Sequence, residues 1–212
     1  MTSREKRIFN WIKKNPSEDK IRGRMGGRGK MTSIKAFLYA KQNPSLRQNM
    51  RKYIRSSYIA LKWAKKWPED KDIMRCKVKI SAAAFLWAQN WPEDRHIMRD
   101  RISDNYWVYR WAQTWPEDKH ILRNKIDDPG IAFKWAKLWP EDKNIMLQVV
   151  MHNYLWLIDW LEIWPEDKYQ IQDPDTAFLL LRKIGLDPVL IEICKKDKET
   201  YAKVLELILH GR

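Results

Sequence analysis

Tryptophans stand in pairs four residues apart along this chain, at Trp63/Trp67, Trp87/Trp91, Trp111/Trp115, Trp135/Trp139 and Trp160/Trp164. Aromatic faces are what single-stranded nucleic acids stack on, at about 1–3 kcal/mol per base. Just beyond each pair comes a proline and then Glu-Asp, two adjacent carboxylates of the kind that hold a metal or move a proton. His96 and His120 fall at one repeat position, but Asp72 and Asn144 occupy it in neighbouring copies, so no ligand set recurs. His152 and His210 have no partner at metal-ligand spacing. Gly26-Gly27-Arg28-Gly29-Lys30 resembles a phosphate loop without its full spacing and follows no strand. The chain has no nucleophile elbow, His-Glu-x-x-His word or Cys-x-x-Cys pair. The expectation is a protein that is not an enzyme and uses no metal or cofactor.

What positions these residues is a repeat. Trp-Pro-Glu-Asp occurs five times, with its proline at Pro68, Pro92, Pro116, Pro140 and Pro165, at intervals of 24, 24, 24 and 25 residues. The stretch from Ala36 to Pro44 is the same unit with Asn43 in place of the last Trp, and Phe9 to Pro16 is a more degenerate copy. A period of this length means stacked supersecondary units. Proline followed by two acids starts a helix, because proline gives up no useful N–H there and the acids oppose the positive end of the dipole. The stretch from Pro92 to Ile102 is expected to be that helix, with Ile97, Met98 and Ile102 on one side. Ser81, Asp104, Asp128 and Asn153 stand where a second helix is capped. That second helix carries Ala84, Trp87, Ala88 and Trp91 at helical spacing, then Val108, Trp111, Ala112 and Trp115. Both tryptophans of each pair therefore read as core, and the Glu-Asp pairs as helix starts.

Helices of about 10 residues are about 15 Å long and do not stand alone in water. The fold expected is all-α, a one-domain α-solenoid of stacked helical hairpins. Its ends depart from the pattern: residues 1–43 form a basic cap with a glycine-rich loop at 22–30, 44–164 the regular repeats, and 165–212 a degenerate repeat and a C-terminal cap. After Pro165 the first helix is shortened, since Asp173-Pro174 already resumes the second-helix pattern. The tail from Asp187 to Leu209 reads as two more helices, the last from Thr200.

Charge divides the chain unevenly. Residues 1–66 hold 19 Lys/Arg against three acids, and residues 67–212 hold 22 against 24, so the whole net charge of +14 belongs to the first third. A block this basic attracts anions. Three and seven residues after the repeat proline stand Arg47/Arg51, Lys71/Arg75, Arg95/Arg99 and Lys119/Arg123, with Arg55 and Lys79 one turn further. Spacing of four puts each pair on one helix face, and stacking is expected to line the pairs up as a basic ridge. Arg22, Arg24, Arg28 and Lys30 add a basic loop. Beside the ridge lie the most variable polar pairs: Gln48/Lys52, Asp72/Cys76, His96/Asp100, His120/Asn124 and Asn144/Gln148. Changing side chains on a constant scaffold are how helical repeats read a partner unit by unit, and they are also what drift at exposed sites leaves behind.

The pattern resembles the short helical-hairpin repeat proteins of bacteria and their phages. The resemblance rests on Trp-Pro-Glu-Asp, on Ala132-Phe133-Lys134-Trp135-Ala136 and on the repeat length, and it covers roughly residues 9–184. It implies an α-solenoid with an interaction role and transfers no catalytic residue. No apolar run is long enough to cross a membrane, no leader opens the chain, and Cys76 and Cys194 suggest no disulfide framework. A cytoplasmic protein is expected, with no membrane or small-molecule partner. Its partner is nucleic acid, gripped through phosphates by the ridge and loop, or an acidic protein surface docked on the solenoid.

Overall fold

The structure, a computed structural model, describes residues 31–210. They divide into two compact units, an N-terminal one ending at Ile102 and a C-terminal one beginning at Ser103. Both are all-α helical-repeat stacks, and among the described residues there is no strand.

The N-terminal unit runs α1 (Ser33–Gln42), α2 (Arg47–Met50), α3 (Ser57–Lys66), α4 (Lys71–Arg75), α5 (Ser81–Asn90) and α6 (Arg95–Arg99). The C-terminal unit runs α7 (Asn105–Thr114), α8 (Lys119–Leu122), α9 (Pro129–Leu138), α10 (Lys143–Val150), α11 (Tyr154–Ile163), α12 (Pro174–Ile184), α13 (Pro188–Cys194) and α14 (Lys198–His210). The long helices α1, α3, α5, α7, α9 and α11 have 10 residues each and are the second helices of the repeats. Each packs on the short helix that follows it, and within each unit on the next long helix.

The first helix of each repeat is shorter and tighter than one continuous α-helix. After the proline the chain makes a 3-10 turn, at Pro68–Asp70, Pro92–Asp94, Pro116–Asp118 and Pro140–Asp142, and only then a short α-helix. The amide of the turn's Asp donates back to the carbonyl of the preceding Trp, as in Asp70 to Trp67 at 3.0 Å and Asp94 to Trp91 at 3.0 Å. That closure turns the Asp side chain inward. After Pro165 only a 3-10 helix, Pro165–Gln170, remains of the first helix, as its shortened sequence implies.

Asp104, Asp128, Asn153 and Asp173 cap α7, α9, α11 and α12 through their side chains. Ser81 differs from expectation: Ile80 holds the cap position and Ser81 is the buried first residue of α5. Its counterparts show why a serine is wanted inside the helix. Ser57 donates to the Lys77 carbonyl at 3.3 Å and accepts from the Lys79 amide at 2.9 Å, and Ser33 accepts from the Arg55 and Ser56 amides. The serine ties one repeat to the loop of the next.

The core follows the alanine–tryptophan stripe. Ala60, Trp63 and Ala64, Ala84, Trp87 and Ala88, and Ala132, Trp135 and Ala136 are fully buried, with Met74, Met98, Leu122 and Met146 supplied by the short helices. Only the first tryptophan of each pair is core; Trp67, Trp91, Trp115, Trp139 and Trp164 are half-buried at the repeat junctions. The two rings of a pair lie 4.3–4.5 Å apart. An aromatic residue of the preceding repeat packs against both, Phe37 on Trp63 and Trp67, Tyr109 on Trp135 and Trp139, Phe133 on Trp160 and Trp164. Ile97 is half-buried and Ile73, Ile121 and Ile145 are exposed, so of the three residues expected on the inner side of Pro92–Ile102 only Met98 and Ile102 are core.

Candidate functional site

Every buried charge on the short helices belongs to a junction between repeats. The Asp of each Trp-Pro-Glu-Asp word is 1–4% exposed and accepts the indole N–H of its own repeat: Trp63 to Asp70, Trp87 to Asp94, Trp111 to Asp118 and Trp135 to Asp142 at 2.9 Å, and Trp160 to Asp167 at 2.7 Å. Its other oxygen meets a cation from the repeat before, Arg51 to Asp70 at 3.2 Å, Arg75 to Asp94 at 2.6 Å and Arg123 to Asp142 at 2.6 Å. A buried carboxylate is tolerated because it is paired and hydrogen-bonded. The cation four residues earlier pairs with the word's Glu at the rim, Arg47 with Glu69, Lys71 with Glu93, Lys119 with Glu141 and Lys143 with Glu166. Lys71, Lys119 and Lys143 also lie 5.8–5.9 Å from the centroid of the next Trp ring, within cation–π reach.

The electrostatics follow from this geometry. Burial by itself would raise the Asp94 carboxyl, but hydrogen bonds from Trp87, Arg75 and Lys71 outweigh it and hold the group below the ordinary range. Glu93, Glu141 and Glu166 are lowered chiefly by hydrogen bonds from Lys71, Lys119 and Lys143. One position further along, Lys77 donates to the Arg51 and Ile54 carbonyls, and Arg101 to those of Arg75 and Val78, closing the end of the previous short helix. Burial pushes the Lys77 ammonium down.

The residues expected to form a basic ridge thus fall on these junctions. Arg47, Arg51, Lys71, Arg75, Lys119 and Arg123 are all engaged by carboxylates, and Arg99 lies 3.3 Å from Asp100. Arg95 is half-buried at the equivalent position. Arg55 and Lys79 are exposed. Arg22, Arg24, Arg28 and Lys30 lie outside the described residues. The ten variable positions, Gln48, Lys52, Asp72, Cys76, His96, Asp100, His120, Asn124, Asn144 and Gln148, are all exposed.

A different set of cations stands without carboxylates. Lys35 and Lys41 on α1 and Lys62, Lys65 and Lys66 on α3 belong to two long helices that pack side by side. All but the half-buried Lys35 are exposed, and none forms an ion pair among the described residues. Neither α1 nor α3 nor the following long helix α5 contains an acid. Ile34, Leu38 and Tyr58 are exposed on the same two helices, at 58%, 46% and 45%. Attention to the short helices passes over these lysines. Their signal was the charge excess of residues 1–66, which the acid-free long helices concentrate.

Among the described residues, no three His, Cys, Asp or Glu side chains gather where they could hold a metal, and no helix is long and apolar enough to cross a membrane. Comparison with known proteins finds no match to a family model, to a curated protein or to a solved structure.

Proposed function

We propose that this protein is a non-catalytic repeat scaffold whose N-terminal unit binds a polyanion, the backbone of a nucleic acid, through the lysine face of α1 and α3. One observation carries the reading: Lys41, Lys62, Lys65 and Lys66 are exposed on acid-free helices, while the short-helix arginines and lysines are neutralised within the fold. Unpaired lysines keep their full attraction for phosphates and release counterions on binding. Arg22, Arg24, Arg28 and Lys30 raise the charge of the same end of the chain. Contacts of this kind grip a backbone with little base specificity. A cytoplasmic setting suits free thiols at Cys76 and Cys194.

A second reading has its own support. Ile34, Leu38 and Tyr58 stand exposed among the lysines, a mixture that also suits an acidic protein surface with apolar anchors.

Fluorescence anisotropy with labelled single-stranded DNA, duplex DNA and RNA, at low and moderate salt, separates the two. Nucleic-acid binding is expected to weaken steeply with salt, with a log–log slope of about −0.7 to −0.9 per phosphate contacted. Lys62→Gln/Lys65→Gln/Lys66→Gln is expected to lose about tenfold or more in affinity at fixed salt while melting like the parent. No binding at low salt ends the nucleic-acid reading and leaves the acidic protein. Unchanged affinity in the triple variant removes this face as the site.

A further inference from the structure

On the long helices, the outward positions six and three residues before the repeat proline differ from copy to copy. They are Lys62/Lys65 on α3, Leu86/Gln89 on α5, Arg110/Gln113 on α7, Lys134/Lys137 on α9 and Asp159/Glu162 on α11. Between α9 and α11, neighbours that pack directly on each other in the C-terminal unit, the sign reverses. Lys134, Lys137, Asp159 and Glu162 are all exposed, and no ion pair joins any of them to another group among the described residues; Lys137 only lies 5.3 Å from the centroid of its own helix's Phe133 ring. Large apolar side chains accompany them. Leu138 on α9 is 47% exposed, and Leu155 and Ile163 on α11 are 55% and 43% exposed.

We propose that this α9/α11 face docks on the same face of a second copy of the chain, as an isologous dimer. The reason is self-complementarity. A two-fold axis running along the groove between the two helices lays α9 of one copy over α11 of the other, and α11 over α9, both in register. Lys134 then faces Asp159 of its mate, and Lys137 faces Glu162. The same two pairs repeat on the other side of the axis. Leu138 meets Ile163, and Leu155 lies over the helix-start end of α9. Charges that one copy leaves unmatched are matched by an identical copy, which no arbitrary partner guarantees.

Two 10-residue helices present a face about 15 Å long and about 20 Å wide. That is well below the area of a standard permanent interface, so the association is weak and exchanging, with a dissociation constant of about 1–100 µM. It uses the C-terminal unit only and does not rest on the polyanion reading, which concerns α1 and α3.

Sedimentation velocity of the full chain from about 1 to 300 µM, without nucleic acid and at low salt, is the test. The parent is expected to shift from monomer to dimer over that range, and added salt to weaken it. Lys134→Glu/Lys137→Glu makes the face wholly acidic, and Asp159→Lys/Glu162→Lys makes it wholly basic. Each variant alone is expected to weaken self-association by at least about tenfold, and an equimolar mixture of the two to form a heterodimer tighter than the parent dimer. Circular dichroism melts of each variant show that it is folded before its mass is read. A parent that stays monomeric throughout overturns the proposal. So does a dimer that survives either reversal, or a mixture in which two folded variants ignore each other.

Discussion

The N-terminal unit carries 26 Lys/Arg against nine Asp/Glu, the C-terminal unit 15 against 18, and yet the two are built the same way. In both, an arginine of one repeat reaches the buried Asp of the next, as Arg75 does to Asp94 and Arg123 to Asp142, each at 2.6 Å. In both, that Asp also accepts an indole N–H at 2.9 Å. The carboxylate-paired junction charges cancel, so among the described residues the difference between the units shows in side chains that no carboxylate engages. On α3 those are Lys62, Lys65 and Lys66; on α11 they are Asp159 and Glu162. The copies have kept what the neighbouring copy requires and varied what faces solvent. A charge count over the chain mixes the two kinds, and only the second is available to a partner.

If the junctions are equivalent, acid should undo both units. Glu93, Glu141, Glu166 and Asp94 have carboxyls held below their ordinary range in the folded chain. Their contribution is fully present above the unfolded value, near about 4, and is lost as pH falls through the lower folded value. Melting temperature is therefore expected to be flat from pH 7 to about 5 and to fall steeply below about 4. The N-terminal unit should open first, because protonation leaves it with the denser positive charge. Hydrogen exchange across pH 3–7 would report this, and protection unchanged at pH 3 would mean that the junction carboxylates do not govern stability.

Single junctions can be broken one unit at a time. Asp94→Ala strands the Trp87 N–H and takes from Arg75 and Lys71 their buried carboxylate, and Asp142→Ala strands Arg123 and the Trp135 N–H. Each is expected to cost about 3–5 kcal/mol in urea unfolding. A large loss for one and none for the other would break the equivalence of the units.

A smaller effect marks where a copy has become specialised. Gly130 is buried in α9, and a Cβ there would come within 2.7 Å of the Trp156 ring. Tyr58, Ala82 and Tyr106 hold the same repeat position with side chains, none of them buried. Helix propensity favours alanine by about 0.5–1 kcal/mol, and the clash outweighs it, so Gly130→Ala is expected to lose about 1 kcal/mol net. Stabilisation instead would show that Trp156 swings aside freely. At the other end of the array, Tyr39 and Leu46 stand where later repeats have Trp and Asp. The Tyr39 hydroxyl is buried there without a hydrogen-bond partner among the described residues, and burial raises its pKa. The indole and the carboxylate are thus replaced together, as expected of a bonded pair.

Much of the fold was legible in the chain because helical hairpins are local. Proline, the cap residues Asp104, Asp128, Asn153 and Asp173, and the alanine–tryptophan spacing state where the long helices start and which side they bury. The surface was harder to read. Arg47 and Glu69 are 22 residues apart and Arg51 and Asp70 are 19 apart, and nothing within either helix says that they meet. Spacing alone makes Arg47, Arg51, Lys71 and Arg75 look like a free basic face, because in isolation each pair does share one side of a helix. The 24-residue period, the helix pairs and the charge imbalance were determined by sequence, since they depend on bonds and side-chain patterns within one hairpin. Which charges are consumed and which remain outward was decided by tertiary structure. Stacking brings Arg47, Arg51, Lys71, Arg75 and Arg123 against the carboxylates of the next repeat, and leaves the lysines of α1 and α3 without an ion pair among the described residues.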